Sequence, residues 1–141
     1  MVKILVVDDD AHMRELLTQE LADEGYQVVL AATGEEALQK VRTERPDLVI
    51  LDLVMPVLPG TEALPQIIEL DQHIPVIINT GYGSYRDDFI TWAAKAYVVK
   101  SGDTEELKAR VREALADRAA TPPVAPDPKA QGENAEKSAQ A

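Results

Sequence analysis

Five short apolar runs punctuate the chain: Lys3–Val7, Tyr26–Ala31, Leu48–Leu51, Val76–Ile78 and Ala96–Val99. All are rich in Val and Ile and three are continuously apolar, the pattern of strands buried on both faces. Between them the spacing turns helical. Met13, Leu16, Leu17 and Leu21 share one face, and Ala37, Leu38 and Val41 share another. Leu64, Ile67 and Ile68 follow, then Phe89, Ile90 and Ala93, then Leu107, Val111 and Leu115. Gly25 is placed to end the first helix and Pro46 to follow the second. Pro65 lacks an N–H and suits only a first turn, so the third helix is expected to start late, near Thr61, or to kink. Strand alternating with helix five times predicts an α/β fold, a doubly wound five-stranded parallel sheet with helices on both faces.

Composition then divides the chain. From Ala119 to Ala141 it holds four of the nine prolines and no aromatic residue, Leu or Ile. Such a segment cannot bury enough apolar surface to offset its ordering entropy. Residues 1–118 are therefore expected to form the domain, and 119–141 a disordered Ala/Pro/polar tail. The tail carries −1 of the formal −11, so the acidity belongs to the domain. That charge argues against a nucleic-acid surface, which needs clustered Lys and Arg, and against an anionic membrane. Zero cysteines remove disulfides, thiolate metal sites and cysteine nucleophiles. No apolar run reaches the roughly 20 residues of a membrane span, and the apolar opening is too brief for a signal peptide. The expectation is a soluble, cytoplasmic protein.

Polar residues appear where the apolar runs stop. Asp8, Asp9 and Asp10 follow the first strand, Asp52 the third, Thr80 the fourth and Lys100 the fifth. In a doubly wound sheet these carboxyl ends share one edge, where ligands bind. The strand order 2-1-3-4-5 makes strands one and three neighbours and brings Asp8, Asp9 and Asp52 together. Three carboxylates repel unless they share a cation, and oxygen-only ligands favour Mg²⁺. With Lys100 the charges balance, and an arriving phosphoryl group would meet a cation, an ammonium and the Thr80 hydroxyl. Asp10 reads as the N-cap of the first helix and Asp47 as a turn acid. His12 and His73 have no companions that would make them ligands or catalysts. Pro56 and Gly60 fit a loop selected for backbone shape.

Four segments then carry a family resemblance: ILVVDDD at Ile4–Asp10, LVILDLVMPVLPG at Leu48–Gly60, INTG at Ile78–Gly81 and AYVVKS at Ala96–Ser101. Together they resemble the receiver domain of bacterial two-component response regulators, a single-domain, CheY-like pattern over about 1–118. The resemblance implies the flavodoxin-like (βα)5 fold. It implies Asp52 as phosphoacceptor, Asp9 as a direct Mg²⁺ ligand, Asp8 as a ligand mainly through water, and the Val54 backbone carbonyl as a further ligand. Lys100 would pair with Asp52 and then with the phosphoryl oxygens. Thr80 and Tyr97 would be the switch residues, reshaping the face made by the fourth helix, fifth strand and last helix. In the family a proline usually follows the lysine; here Ser101 does, so a trans bond is expected there. Gly81 replaces a common alanine, which with Gly83 suggests a mobile loop, and the stretch from Thr80 to Tyr97 is slightly short.

The implied function is a phosphorylation-activated switch rather than an enzyme, although it assists its own phosphorylation and dephosphorylation. Its partners would be a sensor histidine kinase or phosphotransfer protein and an unknown downstream protein. No helix-turn-helix or basic helix follows residue 118, so no DNA binding of its own is expected. Two alternatives stand beside this reading: an unphosphorylated pseudo-receiver scaffold, and the receiver fragment of a longer regulator. A Mg²⁺-dependent hydrolase lacks a separate acid or base, and neither GxGxxG nor GxxxxGK[ST] occurs.

Overall fold

The computed structural model describes residues 1–81, 93–100 and 103–120. In chain order they form β1 (Lys3–Val7), α1 (Ala11–Asp23), β2 (Gln27–Ala31), α2 (Gly34–Glu44), β3 (Leu48–Leu51), α3 (Gly60–Leu70), β4 (Val76–Thr80), β5 (Ala96–Val99) and α4 (Glu105–Ala120). All strand pairs are parallel, in the order β2-β1-β3-β4-β5. The doubly wound sheet is thus the one the apolar runs predict. The expected helix through Phe89, Ile90 and Ala93 and the loop at Gly83 fall outside the described residues, Ala93 apart. So do the bond to Ser101 and the tail beyond residue 120.

Alternation along the strands feeds two separate apolar layers. Leu5, Val7, Val49, Leu51 and Ile78 pack with α2 and α3 through Ala37, Val41, Ala63, Leu64 and Ile67. Ile4, Val6, Ile50, Ile77 and Val98 pack with α1 and α4 through Leu17, Leu21, Leu107 and Val111. β3 is buried throughout, as its unbroken apolar run requires, and β4 is buried throughout as well, including its polar end. β5 is equally apolar, yet only Val98 is fully buried, because it lies at an edge of the sheet.

Local chemistry sets the ends. Asp10 caps α1 by accepting the His12 N–H at 2.9 Å, as its position suggests. Gly25 (φ +95°) turns the chain out of α1 in the left-handed region, which glycine enters without a Cβ penalty. Asp47 accepts the Lys3 N–H at 2.8 Å and so ties β3 to the start of β1. Two expectations need correction. β4 continues past Ile78 to Thr80, because Asn79 and Thr80 are buried and still pair with Val98 and Val99. And although α3 begins at Gly60, next to the expected Thr61, Pro65 lies in its second turn rather than its first. A proline there has no N–H for the Thr61 carbonyl, and packing of Ala63, Leu64 and Ile67 holds the helix despite that loss.

The β3–α3 loop contains a strained residue. Leu58 N–H donates to the Pro56 carbonyl at 2.8 Å across Val57, whose φ is +69°. A β-branched residue resists this conformation, and Val57 is 84% exposed, so no packing offsets it. Val57→Gly is expected to stabilise the fold by about 1 kcal/mol, raising the melting temperature by a few degrees in a thermal melt. An unchanged or lower melting temperature would show that the valine side chain supports the loop.

Candidate functional site

Backbone ladders continue one residue past the strands and bring their ends level. Asp8 N–H donates to Ala31 O at 3.1 Å, Asp52 N–H to Val7 O at 3.0 Å and Lys100 N–H to Thr80 O at 2.7 Å. Asp8, Asp52, Thr80 and Lys100 are thereby fixed along one edge, at the point where strand order reverses between β1 and β3. Carboxylate oxygens of Asp8, Asp9 and Asp52 all lie within 4.8 Å of one another. Asp8 and Asp52 are buried, whereas Asp9 is exposed and gives the cluster its opening to solvent.

One ammonium serves both buried acids. Lys100 Nζ lies 2.8 Å from Asp8 Oδ2 and 3.0 Å from Asp52 Oδ2. The remaining oxygens take backbone donors: Asp8 Oδ1 accepts from Asp10 N–H at 2.9 Å, and Asp52 Oδ1 from Val54 N–H at 3.2 Å. Arg14 donates to the Asp8 carbonyl at 2.7 Å, holding the turn between β1 and α1. Burial pushes the Asp8 carboxyl up, and the hydrogen bonds from Lys100 and Asp10 only partly restrain it, so it ends above its ordinary 3.8. For Lys100 burial works downward, but hydrogen bonds and charge from Asp8 and Asp52 outweigh it and hold the ammonium above its ordinary value.

Thr80 is fully buried, and its Oγ1 has no hydrogen-bond partner among the described residues. An orphaned hydroxyl at the rim of a carboxylate cluster has an acceptor and a donor to offer an incoming group. Tyr97 does not join the cluster; it is half-buried on β5 and packs against the layer shared with α2 and α3. Asn79 is the residue that the apolar pattern misses. It is 5% exposed on β4 and lines a small cavity with Met13, Leu17, Lys100, Thr104 and Leu107. Its only trace in the sequence is a polar residue where an apolar run stops.

The donor set is all oxygen, anionic and partly open, which fits a hard divalent cation such as Mg²⁺. Among the described residues no helix is long and apolar enough to cross a membrane.

Comparison with known proteins adds relatives to this geometry. The family model of the response regulator receiver domain matches residues 4–112. A probable transcriptional regulator, ycf27, of Guillardia theta is 43% identical over 115 residues, which are 80% of this chain and 45% of that protein. Response regulator MprA of Mycolicibacterium vanbaalenii is 41% identical over 116 residues, 81% of this chain and 50% of its own length. The chain spans about half the length of these relatives. Among solved structures, the response regulator TrrA of Thermotoga maritima, in complex with Mg²⁺–BeF, is 46% identical with a TM-score of 0.79. That match covers 81% of this chain and 99% of TrrA. A second TrrA structure, in complex with the histidine kinase ThkA, has a TM-score of 0.77 at 46% identity and covers 82% and 99% of the two chains.

Proposed function

The chain belongs to the response regulator receiver domains, the phosphorylation-activated switches of two-component systems, and from that premise we propose that Asp52 is its phosphoacceptor. The observation that carries this assignment is the Lys100 ammonium held between two buried carboxylates, on the sheet edge that also carries the unpartnered buried Thr80 hydroxyl. An Asp52 oxygen attacks the phosphorus of a phosphohistidine. The O–P bond forms as the N–P bond breaks, and its electron pair stays on the departing imidazole. Lys100 then exchanges its carboxylate partners for phosphoryl oxygens, which need a fixed cationic donor as charge spreads over them. Thr80 Oγ1 donates to the same oxygens and so gains the partner it lacks. Asp8, Asp9, Asp52 and the Val54 carbonyl would hold Mg²⁺. When bound, that ion supplies charge neutralisation between the acids and the phosphoryl group.

Movement of Thr80 at the end of β4 is passed to β5, where Tyr97 packs two residues from Val99, the register partner of Thr80. The partner-facing surface then changes around β5 and α4. A sensor kinase or phosphotransfer protein is the proposed donor, as the ThkA complex of TrrA suggests. Because the chain matches only 45% of the probable transcriptional regulator ycf27, a transcriptional role is not carried over to it. The acidic domain itself is not expected to bind DNA.

Incubation with Mg²⁺ and acetyl phosphate should give an acid-stable, base-labile mass gain in the intact protein, and Asp52→Asn should lose it. No gain in the wild type, or an equal gain in the variant, overturns the assignment.

A further inference from the structure

Lys100 stands at the end of β5, yet its ammonium reaches Asp52 beyond β3 and Asp8 beyond β1. Between β5 and β3 lies β4, so the lysine side chain must cross the end of that strand. Alternation decides what it crosses. Val6, Ile50, Ile77 and Val98 all face α1 and α4. Residues two positions further along these strands return to the same face, namely Asp8, Asp52, Asn79 and Lys100. Asn79 is therefore the side chain beneath the path of the lysine, and both residues line one cavity about the size of a water molecule.

Asn79 is otherwise out of place. Its strand neighbours Val76, Ile77 and Ile78 are fully apolar, and Asn79 is itself 5% exposed. Among the described residues no hydrogen bond reaches its side-chain amide, whose polar atoms open instead onto that cavity. The Lys100 ammonium has three N–H donors, and the described residues partner two of them, through Asp8 and Asp52.

We propose that Asn79 is a positioning residue for Lys100, its amide oxygen taking the third ammonium donor through a water bound in the cavity that both residues line. Asn79 touches neither the phosphoryl group nor the reacting oxygen. It limits the swing of the lysine, so that the ammonium stays over Asp52 when it leaves Asp8. The proposal rests on Asp52 being the phosphoacceptor for its kinetic consequence, but not for the placement of the ammonium.

The test uses Asn79→Leu, which keeps the shape of the side chain and removes its acceptor, with Asn79→Val as a second variant suited to the strand. Nitrogen relaxation of the Lys100 ammonium in the unphosphorylated protein reports its mobility. The phosphorylation rate with Mg²⁺ and acetyl phosphate reports the consequence. Expected are a more mobile ammonium, a rate lower by on the order of tenfold, as for other residues that orient a reacting group from behind, and a melting temperature equal to or above wild type. A folded variant with wild-type ammonium mobility, or with wild-type rate, overturns the proposal. Failure of both variants to fold also overturns it, by making Asn79 a structural residue. A wild type that gains no phosphoryl mass overturns the Asp52 assignment instead and leaves the mobility result to stand by itself.

Discussion

Gly60→Ala is expected to destabilise the domain by about 3 kcal/mol or more, lowering the melting temperature by roughly 10 °C in a thermal melt. Helix propensity argues the opposite way, since alanine in a helix is better than glycine by about 1 kcal/mol. Contact decides. A Cβ on Gly60 would lie 2.2 Å from the Asp52 carbonyl oxygen and 2.7 Å from the Leu53 Cα. Both obstacles are backbone, and Gly60 N–H already donates to Leu53 O at 2.9 Å, so neither side can retreat without breaking that bond. Relief would push α3 from the sheet or displace the residue beside the carboxylate cluster. Gly81→Ala is the control, because among the described residues nothing lies within 4 Å of its added Cβ, and its melting temperature should stay close to wild type. Equal stability of the two variants would mean that α3 does not dock as closely as described.

Gly60 also shows where reading the sequence stops. Its residue type is visible, and a loop glycine is a fair expectation, but the demand on it comes from a carbonyl eight residues earlier that only the folded chain brings near. The apolar runs were legible because parallel strands buried on both faces have no polar positions to interrupt them, as Leu48–Leu51 illustrates. The same rule misplaced the end of β4. Asn79 and Thr80 are polar and buried, so the pattern stopped at Ile78 while the ladder ran on to Thr80. Pro65 misled for a related reason: its lost hydrogen bond is local, whereas the burial that outweighs it is tertiary.

Placement of the site residues followed from topology more than from composition. Once β1 and β3 are neighbours, Asp8 and Asp52 must meet, and their separation in sequence is irrelevant. What no pattern showed is the sharing of Lys100. One ammonium bridging both acids requires the lysine at the end of β5 to reach across β4.

That sharing sets the largest electrostatic prediction. Lys100→Met leaves Asp8 and Asp52 buried and facing each other, with side-chain exposures of 3% and 6%. Removing one partner of a buried ion pair costs about 3–5 kcal/mol, so the variant should be far less stable than wild type near neutral pH. The pH dependence gives the cause. Burial already holds the folded Asp8 carboxyl above its ordinary 3.8, so the native state binds more protons than the unfolded chain. Stability therefore falls as pH rises between those two values and recovers as pH is lowered. Without Lys100 the hydrogen bond and charge that restrain this rise are gone, and the window widens toward neutrality. Urea unfolding of Lys100→Met should thus show stability increasing as pH is lowered from neutral, more steeply than in wild type. Lys100→Met, Asp8→Asn combined should recover most of the loss at pH 7, since one carboxylate no longer faces another. A Lys100→Met variant with wild-type stability and a flat profile would mean that solvent, rather than the ammonium, compensates the buried acids.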